Sequence, residues 1–216
     1  MIYLIGGPPR TGKTTLAAAL ARRTSCPYFS IDHIAQVIAP YIPEEEYARR
    51  LPLRVALMEA QYSNDSFYGK YSPGESVDLY LRQAETYWPG VENFIKYALE
   101  ANHDVILEGW QILPGRLRRA IGPDARARAV FLFKKSELDI VAGLKSHVAK
   151  NDWVIKHTVK EETFGAIARM VSVFGAVLER EAAASGFEAV NTDRDFESTI
   201  DQTLESLLHR GGLRGR

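Results

Sequence analysis

The run Gly7, Pro8, Pro9, Arg10, Thr11, Gly12, Lys13, Thr14 fits the pattern G-x-x-x-x-G-K-[ST]. It follows the short apolar stretch 2–5 and precedes the alanine- and leucine-rich stretch 13–23. The order strand, glycine-rich loop, helix is the context in which this pattern cradles phosphates. Glycines let the backbone turn with its N–H groups pointing inward, and the helix N-terminus adds partial positive charge. Lys13 is placed to reach the β- and γ-phosphates, and the Thr14 hydroxyl to ligate Mg²⁺. The loop from Gly7 through Thr15 is therefore the expected nucleotide site, with Lys13 expected to lie solvated when the loop is empty.

Such a loop needs a parallel sheet around it. Stretches 27–31, 104–107, 129–133 and 187–191 read as four further short strands, separated mostly by helical patterns. Alternating strands and helices imply an α/β sheet covered on both faces, with right-handed crossovers. Phe164, Ile167, Ala168, Val171, Phe174 and Leu178 make one apolar helical stripe, and Phe196, Ile200, Thr203, Leu204 and Leu207 another. Ser136 to Asp139 has capping-box spacing, and Thr192 to Asp195 is a second candidate helix start.

Residues 34–102 contain no convincing strand and read as a helical insert between the second and third strands. Pro43 before three glutamates and the run Ser72, Pro73, Gly74, Glu75 are helix starts, and a break or kink is expected at Trp88-Pro89. The whole reads as one domain over 1–210, with residues 211–216 as a frayed, flexible tail.

Two carboxylates stand where such a sheet presents its ligands. Glu108 ends the third strand and is the candidate to hold Mg²⁺ with Thr14. Asp32 ends the second and could take a proton from a substrate hydroxyl, or instead cap the helix that begins near His33.

The balance of 27 basic against 27 acidic residues argues against a general nucleic-acid binder. The lone Cys26 rules out an intrachain disulfide and fits a reducing cytoplasm. No apolar run is long enough to span a membrane, and the N-terminus reads as a buried strand, not a leader. The five histidines lack metal-ligand spacing. In the insert, Tyr62, Phe67, Tyr68, Tyr71, Tyr80, Tyr87 and Trp88 could stack on a ring-bearing ligand or form core.

The loop together with the stretch 106–114, which runs through Glu108, Trp110 and Gln111, resembles the nucleoside-monophosphate-kinase-like branch of P-loop kinases. The 2-phosphoglycerate kinases and zeta-toxin-like kinases are the members it is most similar to. The resemblance covers roughly 1–33 and 104–210. It implies a three-layer P-loop sandwich with a five-stranded parallel sheet in the order 2-3-1-4-5, ATP as donor, and a lid at about 145–160. It also implies that Asn191, Thr192 and Asp193, in a stretch like the late loop of these kinases, touch adenine, and that the insert holds the acceptor. Arg54, Arg82 and Trp110 are the candidates for that contact. Two departures stand out. The lid stretch carries Lys145, His147, Lys150, Lys156, His157 and Lys160 but no arginine, so lysines, Arg169 or an insert arginine would have to serve. Gln111 stands where the phosphoglycerate kinases have histidine, which counts against that acceptor. The implied activity is ATP-dependent phosphorylation of a small-molecule hydroxyl. A nucleotide-dependent switch or assembly ATPase, or the toxin half of a toxin–antitoxin pair, are the alternatives.

Overall fold

The computed structural model describes residues 1–146 and 152–209. Five strands form one parallel sheet: β1 (Ile2–Gly6), β2 (Tyr28–Ser30), β3 (Val105–Gly109), β4 (Ala127–Phe133) and β5 (Glu188–Asn191). Their order is β2-β3-β1-β4-β5, as the resemblance implies. The most apolar strand, β1, lies at the centre and is buried at every position. Register sets Ile5 beside Glu108 and Gly6 beside Gly109 and Phe131, while Ser30 pairs with Glu108. The carboxyl ends of β1, β2 and β3 thus share one rim, where the order switches direction and ligands bind in open sheets.

One face is covered by α1 (Lys13–Thr24) and α11 (Phe196–His209), whose Leu16, Leu20, Ile200, Leu204 and Leu207 pack on Ile5, Val130 and Leu132. The other face carries α6 (Pro73–Glu100), α7 (Pro114–Ile121) and α10 (Glu161–Ala184). The insert is helical throughout, as expected: α2 (Ile31–Ile38), α3 (Tyr47–Arg50), α4 (Pro52–Glu59), α5 (Asn64–Lys70) and α6. It shares an apolar cluster with α10, α8 (Glu137–Ser146) and α9 (Trp153–Lys156). Phe67, Tyr68, Tyr80, Tyr87 and Trp88 are buried, so the aromatic density of the insert is mostly core.

Helix α6 begins at the expected capping box, with both the Ser72 and the Glu75 bonds formed. It then runs through Pro89 without the expected break. A mid-helix proline costs about 3 kcal/mol, and the buried Trp88, Val91 and Ile95 on either side supply the offsetting burial. At the start of α8, Ser136 Oγ accepts from the Asp139 N–H at 3.2 Å, but the Ser136 N–H donates to Asp193 Oδ2, so the box is only half formed. The last helix starts at Phe196, and Thr192 is buried instead of opening it. The expected tail at 211–216 lies outside the described residues, as do His147 and Lys150 of the lid stretch.

The insert is tied to the segment before α10 by two side chains. Buried Asn64 donates from Nδ2 to Thr158 Oγ1 at 3.0 Å and to the Val154 carbonyl, and its own N–H reaches the His157 carbonyl at 2.8 Å. Asp65 accepts from the Val159 and Lys160 N–H groups and from Thr163 Oγ1 at 2.6 Å. It does for α10 what a capping residue does, since Lys160 itself supplies no cap. Partial desolvation raises the Asp65 pKa, but the bonds from Thr163, Val159 and Lys160 outweigh it and the net direction is downward. A depressed folded-state pKa stabilises above the unfolded carboxylate value and ceases to as pH falls through the folded one. Asp65→Ala should therefore cost about 1–2 kcal/mol near neutral pH. In denaturant melts at falling pH, the gap between variant and parent should close below the ordinary aspartate range.

Candidate nucleotide and phosphoryl-transfer site

The loop after β1 holds its shape through side chains of its own. Gly7 has φ +146, and a Cβ there would lie 2.3 Å from the Leu132 carbonyl oxygen. Gly12 has φ +95, and a Cβ there would meet the Phe196 ring at 2.7 Å. Both positions therefore demand glycine. Thr11, fully buried, donates to the Pro8 carbonyl at 3.0 Å. Lys13 donates to the same carbonyl at 2.7 Å and is buried, so the expectation of a solvated lysine is overturned. Burial pushes the Lys13 pKa down, and the Glu108 and Asp32 carboxylates pull it back up.

Around this loop lies a cavity of about 350 Å³ lined by Arg10, Lys13, Thr14, Lys134, Ile140 and Phe196, among others. Lys134 follows β4, is buried, and has its ammonium 5.6 Å from the centre of the Phe196 ring; desolvation lowers its pKa, against Asp193 and Asp139. Lys134 and Ile140 were not singled out from sequence, and Phe196 was read only as part of the apolar stripe of the last helix. Their only local signal is position, just past the ends of β4 and β5.

Asn191, Thr192 and Asp193 sit at the end of β5, next to this cavity. Thr192 is fully buried and its hydroxyl reaches the Thr11 carbonyl at 3.0 Å, so it supports the loop from behind. Asp193 Oδ2 accepts from the Lys135 and Ser136 N–H groups, and with Asn191 it lines a separate cavity of about 510 Å³.

Glu108 is buried, 4% exposed, at the carboxyl end of β3. Its Oε1 accepts from the Tyr28 hydroxyl at 3.2 Å, and Thr14 lies close to the same phenol. Burial, then the Glu108 charge, pushes the Tyr28 pKa up to about 12. The Thr14 hydroxyl thus stands near a buried carboxylate that has spare acceptor capacity. This donor set suits Mg²⁺, which takes one or two protein oxygens and fills its shell with phosphate and water. Among the described residues no cluster of three or more metal-binding side chains exists, so a dedicated protein cage is not the arrangement.

Asp32 occupies the first turn of α2, but the cap of that helix is Ser30, whose Oγ accepts from the Asp32 N–H at 3.4 Å. The capping role considered for Asp32 is thereby overturned. Its Oδ1 instead accepts from Gln111 Nε2 at 2.8 Å and Trp110 Nε1 at 3.1 Å. Trp110 stacks edge-on against Tyr80, and Gln111 is fully buried, so both donors are fixed. The structure brings Asp32, Trp110, Glu108 and Lys13 to one place. Arg54 lies near Tyr87, which also senses Asp32, and its guanidinium sits 5.6 Å from the Tyr47 ring centre. Arg82 is not brought in: it pairs with Asp78 and lines a groove with Arg116 and Arg119 on another face. Arg169 is exposed on α10.

Comparison with known proteins agrees with this geometry. The family model for the ATPase family associated with various cellular activities (AAA) matches residues 3–56. Shikimate kinase from Bacteroides thetaiotaomicron superposes with a TM-score of 0.53 at 15% identity, covering 96% of this chain and 98% of that one. A gluconokinase from Sinorhizobium meliloti 1021 gives 0.52 at 12% identity over 95% and 90%. A sugar kinase from Janibacter sp. HTCC2649 gives 0.52 at 12% identity over 96% and 93%. The chain has the P-loop NTPase fold, and these solved chains that share it over nearly their full length are small-molecule kinases.

Proposed function

We propose that this protein is an ATP-dependent kinase that transfers the γ-phosphoryl group to a hydroxyl of a small molecule. The observation that carries the reading is the Asp32 carboxylate: it stands beside the phosphate loop with Oδ1 held by Trp110 and Gln111. A switch that only hydrolyses nucleotide needs to orient water, and has no need of such a carboxylate facing an insert. The kinase neighbours support the same reading at the level of fold.

In this mechanism the loop N–H groups and Lys13 hold the β- and γ-phosphates. Thr14 and Glu108 would hold Mg²⁺, which when bound neutralises phosphate charge. The acceptor oxygen forms a bond to the γ-phosphorus as the bond to the β–γ bridging oxygen breaks and ADP departs. Asp32 takes the hydroxyl proton. The insert supplies the acceptor pocket, Trp110 and Arg54 line it, and the 145–160 segment excludes water. Asn191 and Asp193, at the end of β5, would approach the base. No helix among the described residues is long and apolar enough to cross a membrane, and a cytoplasmic metabolite, antibiotic or nucleoside fits as acceptor. A nucleotide-driven assembly ATPase is the rival, favoured only by the AAA match over β1 to α4. ATP turnover that stays low until a hydroxylated acceptor is added separates the two, and a screen for γ-phosphate incorporation identifies the acceptor.

Lys13→Ala should lower phosphoryl transfer by about 3–4 kcal/mol of transition-state stabilisation. The Pro8 carbonyl keeps its Thr11 donor, so the fold should survive; near-normal turnover would remove the loop from the chemistry. Asp32→Asn keeps an acceptor for Trp110 and Gln111 and leaves the Ser30 cap untouched. Melting should be unchanged while kcat falls by about two decades or more; an unchanged rate would exclude Asp32 as base. Glu108→Gln should weaken the Mg²⁺-dependent part of nucleotide affinity, read by titration with and without Mg²⁺, and spare the metal-free part.

A further inference from the structure

Arg10 is the one charged residue among the four positions that the motif leaves open. Its backbone has φ 68, in the left-handed region where a side chain carries a steric cost. The other positive-φ positions in the loop, Gly7 and Gly12, are glycine. A strained non-glycine residue at a binding site points to a use for its side chain. That side chain is ion-paired with Asp152, whose carboxylate is 1% exposed, while the guanidinium is 27% exposed. Asp152 also caps α9, its Oδ1 accepting from the Val154 N–H at 3.0 Å. Arg10 lines the same cavity as Lys13, Thr14 and Lys134, and among the described residues it is the arginine that does so. Its side chain therefore runs from the loop towards the segment that Asn64 of the insert holds through the Val154 carbonyl.

We propose that Arg10 is a terminal-phosphate sensor: its guanidinium exchanges Asp152 for the γ-phosphate of a bound nucleoside triphosphate. It supplies from the loop the planar, bidentate cation that the 145–160 stretch lacks. In the empty site Asp152 holds the guanidinium in place and keeps the start of α9 against the loop. With a triphosphate bound, the guanidinium clamps the group to be transferred, and the tie between loop and α9 is exchanged for one through the nucleotide. A diphosphate offers no γ-oxygens and leaves the Arg10–Asp152 pair intact. The inference rests on the kinase reading and adds to it how the site tells substrate nucleotide from product.

The test is calorimetric titration of the protein with Mg²⁺ and either β,γ-imido-ATP or ADP, for the parent, Arg10→Gly and Asp152→Asn. Glycine suits φ 68 and asparagine still caps a helix, so both variants keep the local backbone. Arg10→Gly should weaken the triphosphate about tenfold or more, the loss of a charge-assisted contact, and change ADP less than about twofold. Asp152→Asn should tighten the triphosphate several-fold, because a competing anion is gone, and leave ADP unchanged. Equal shifts for both nucleotides, or weaker triphosphate binding in Asp152→Asn, would overturn the sensor and make the pair a structural tie. A parent that binds neither nucleotide would overturn the kinase reading itself, an outcome distinct from a parent that binds both while the variants fail to discriminate.

Discussion

A loop that points its N–H groups at a phosphate must point its carbonyls away from it, and those oxygens need partners. That requirement organises the centre of this protein. The Pro8 carbonyl is taken by Thr11 and Lys13, the Thr11 carbonyl by Thr192 at the end of β5, and the Gly12 carbonyl by the Leu16 N–H inside α1. Thr192 is itself anchored by its N–H to the Phe133 carbonyl of β4. The loop is thus braced by the two strands on one side of β1, leaving the other side, towards β3 and β2, open for Glu108 and Asp32. The carboxylates sit where the bracing is not.

The insert reaches the same region by a different route. Asn64 and Asp65 satisfy backbone donors and acceptors of the 154–163 stretch that have no partner within their own helix. An ordinary N-cap residue ahead of α10 would have made that contact unnecessary, but the chain has Lys160 there. The missing cap and the docking of α5 are one fact seen from two sides. Tyr80 extends the contact, stacking on Trp110 and Phe174 and so joining the insert to the support of Asp32.

What sequence made legible is what local chemistry dictates. The loop, Glu108 near the end of β3 and the capping box at Ser72 depend on neighbours within a few residues, whereas Asp32, read as the end of a strand, lies in the first turn of α2 because β2 stops at Ser30. The sheet order is not local in this sense and was expected only from the resemblance to a branch of P-loop kinases. Contacts between distant segments were not legible: Thr192 turning under the loop, Phe196 and Lys134 facing the cavity, and Asn64 reaching Val154. Two expectations failed for physical reasons that spacing already contained. Arg82 is two residues from the buried Tyr80, about 200° around a helix, so it faces away. Pro89 sits among apolar residues whose burial holds α6 together. The solvated Lys13 failed because the loop folds back over its own ammonium, which bonds the Pro8 carbonyl and is buried near Glu108 and Asp32.

The apolar cluster under the insert contains no strand residue; it is built from α4, α5, α6, α8, α9, α10 and the turn after β3. The clusters that steady the nucleotide loop lie against the sheet. Helix α6 spends one half in each, with Tyr80 and Ala84 in the first and Val91 and Ile95 in the second, and α10 reaches from the first to the second through Ala182. Substitutions within the helical cluster therefore reach the packing behind the phosphate loop chiefly through these two helices, and most of that cluster can be repacked without touching the sheet.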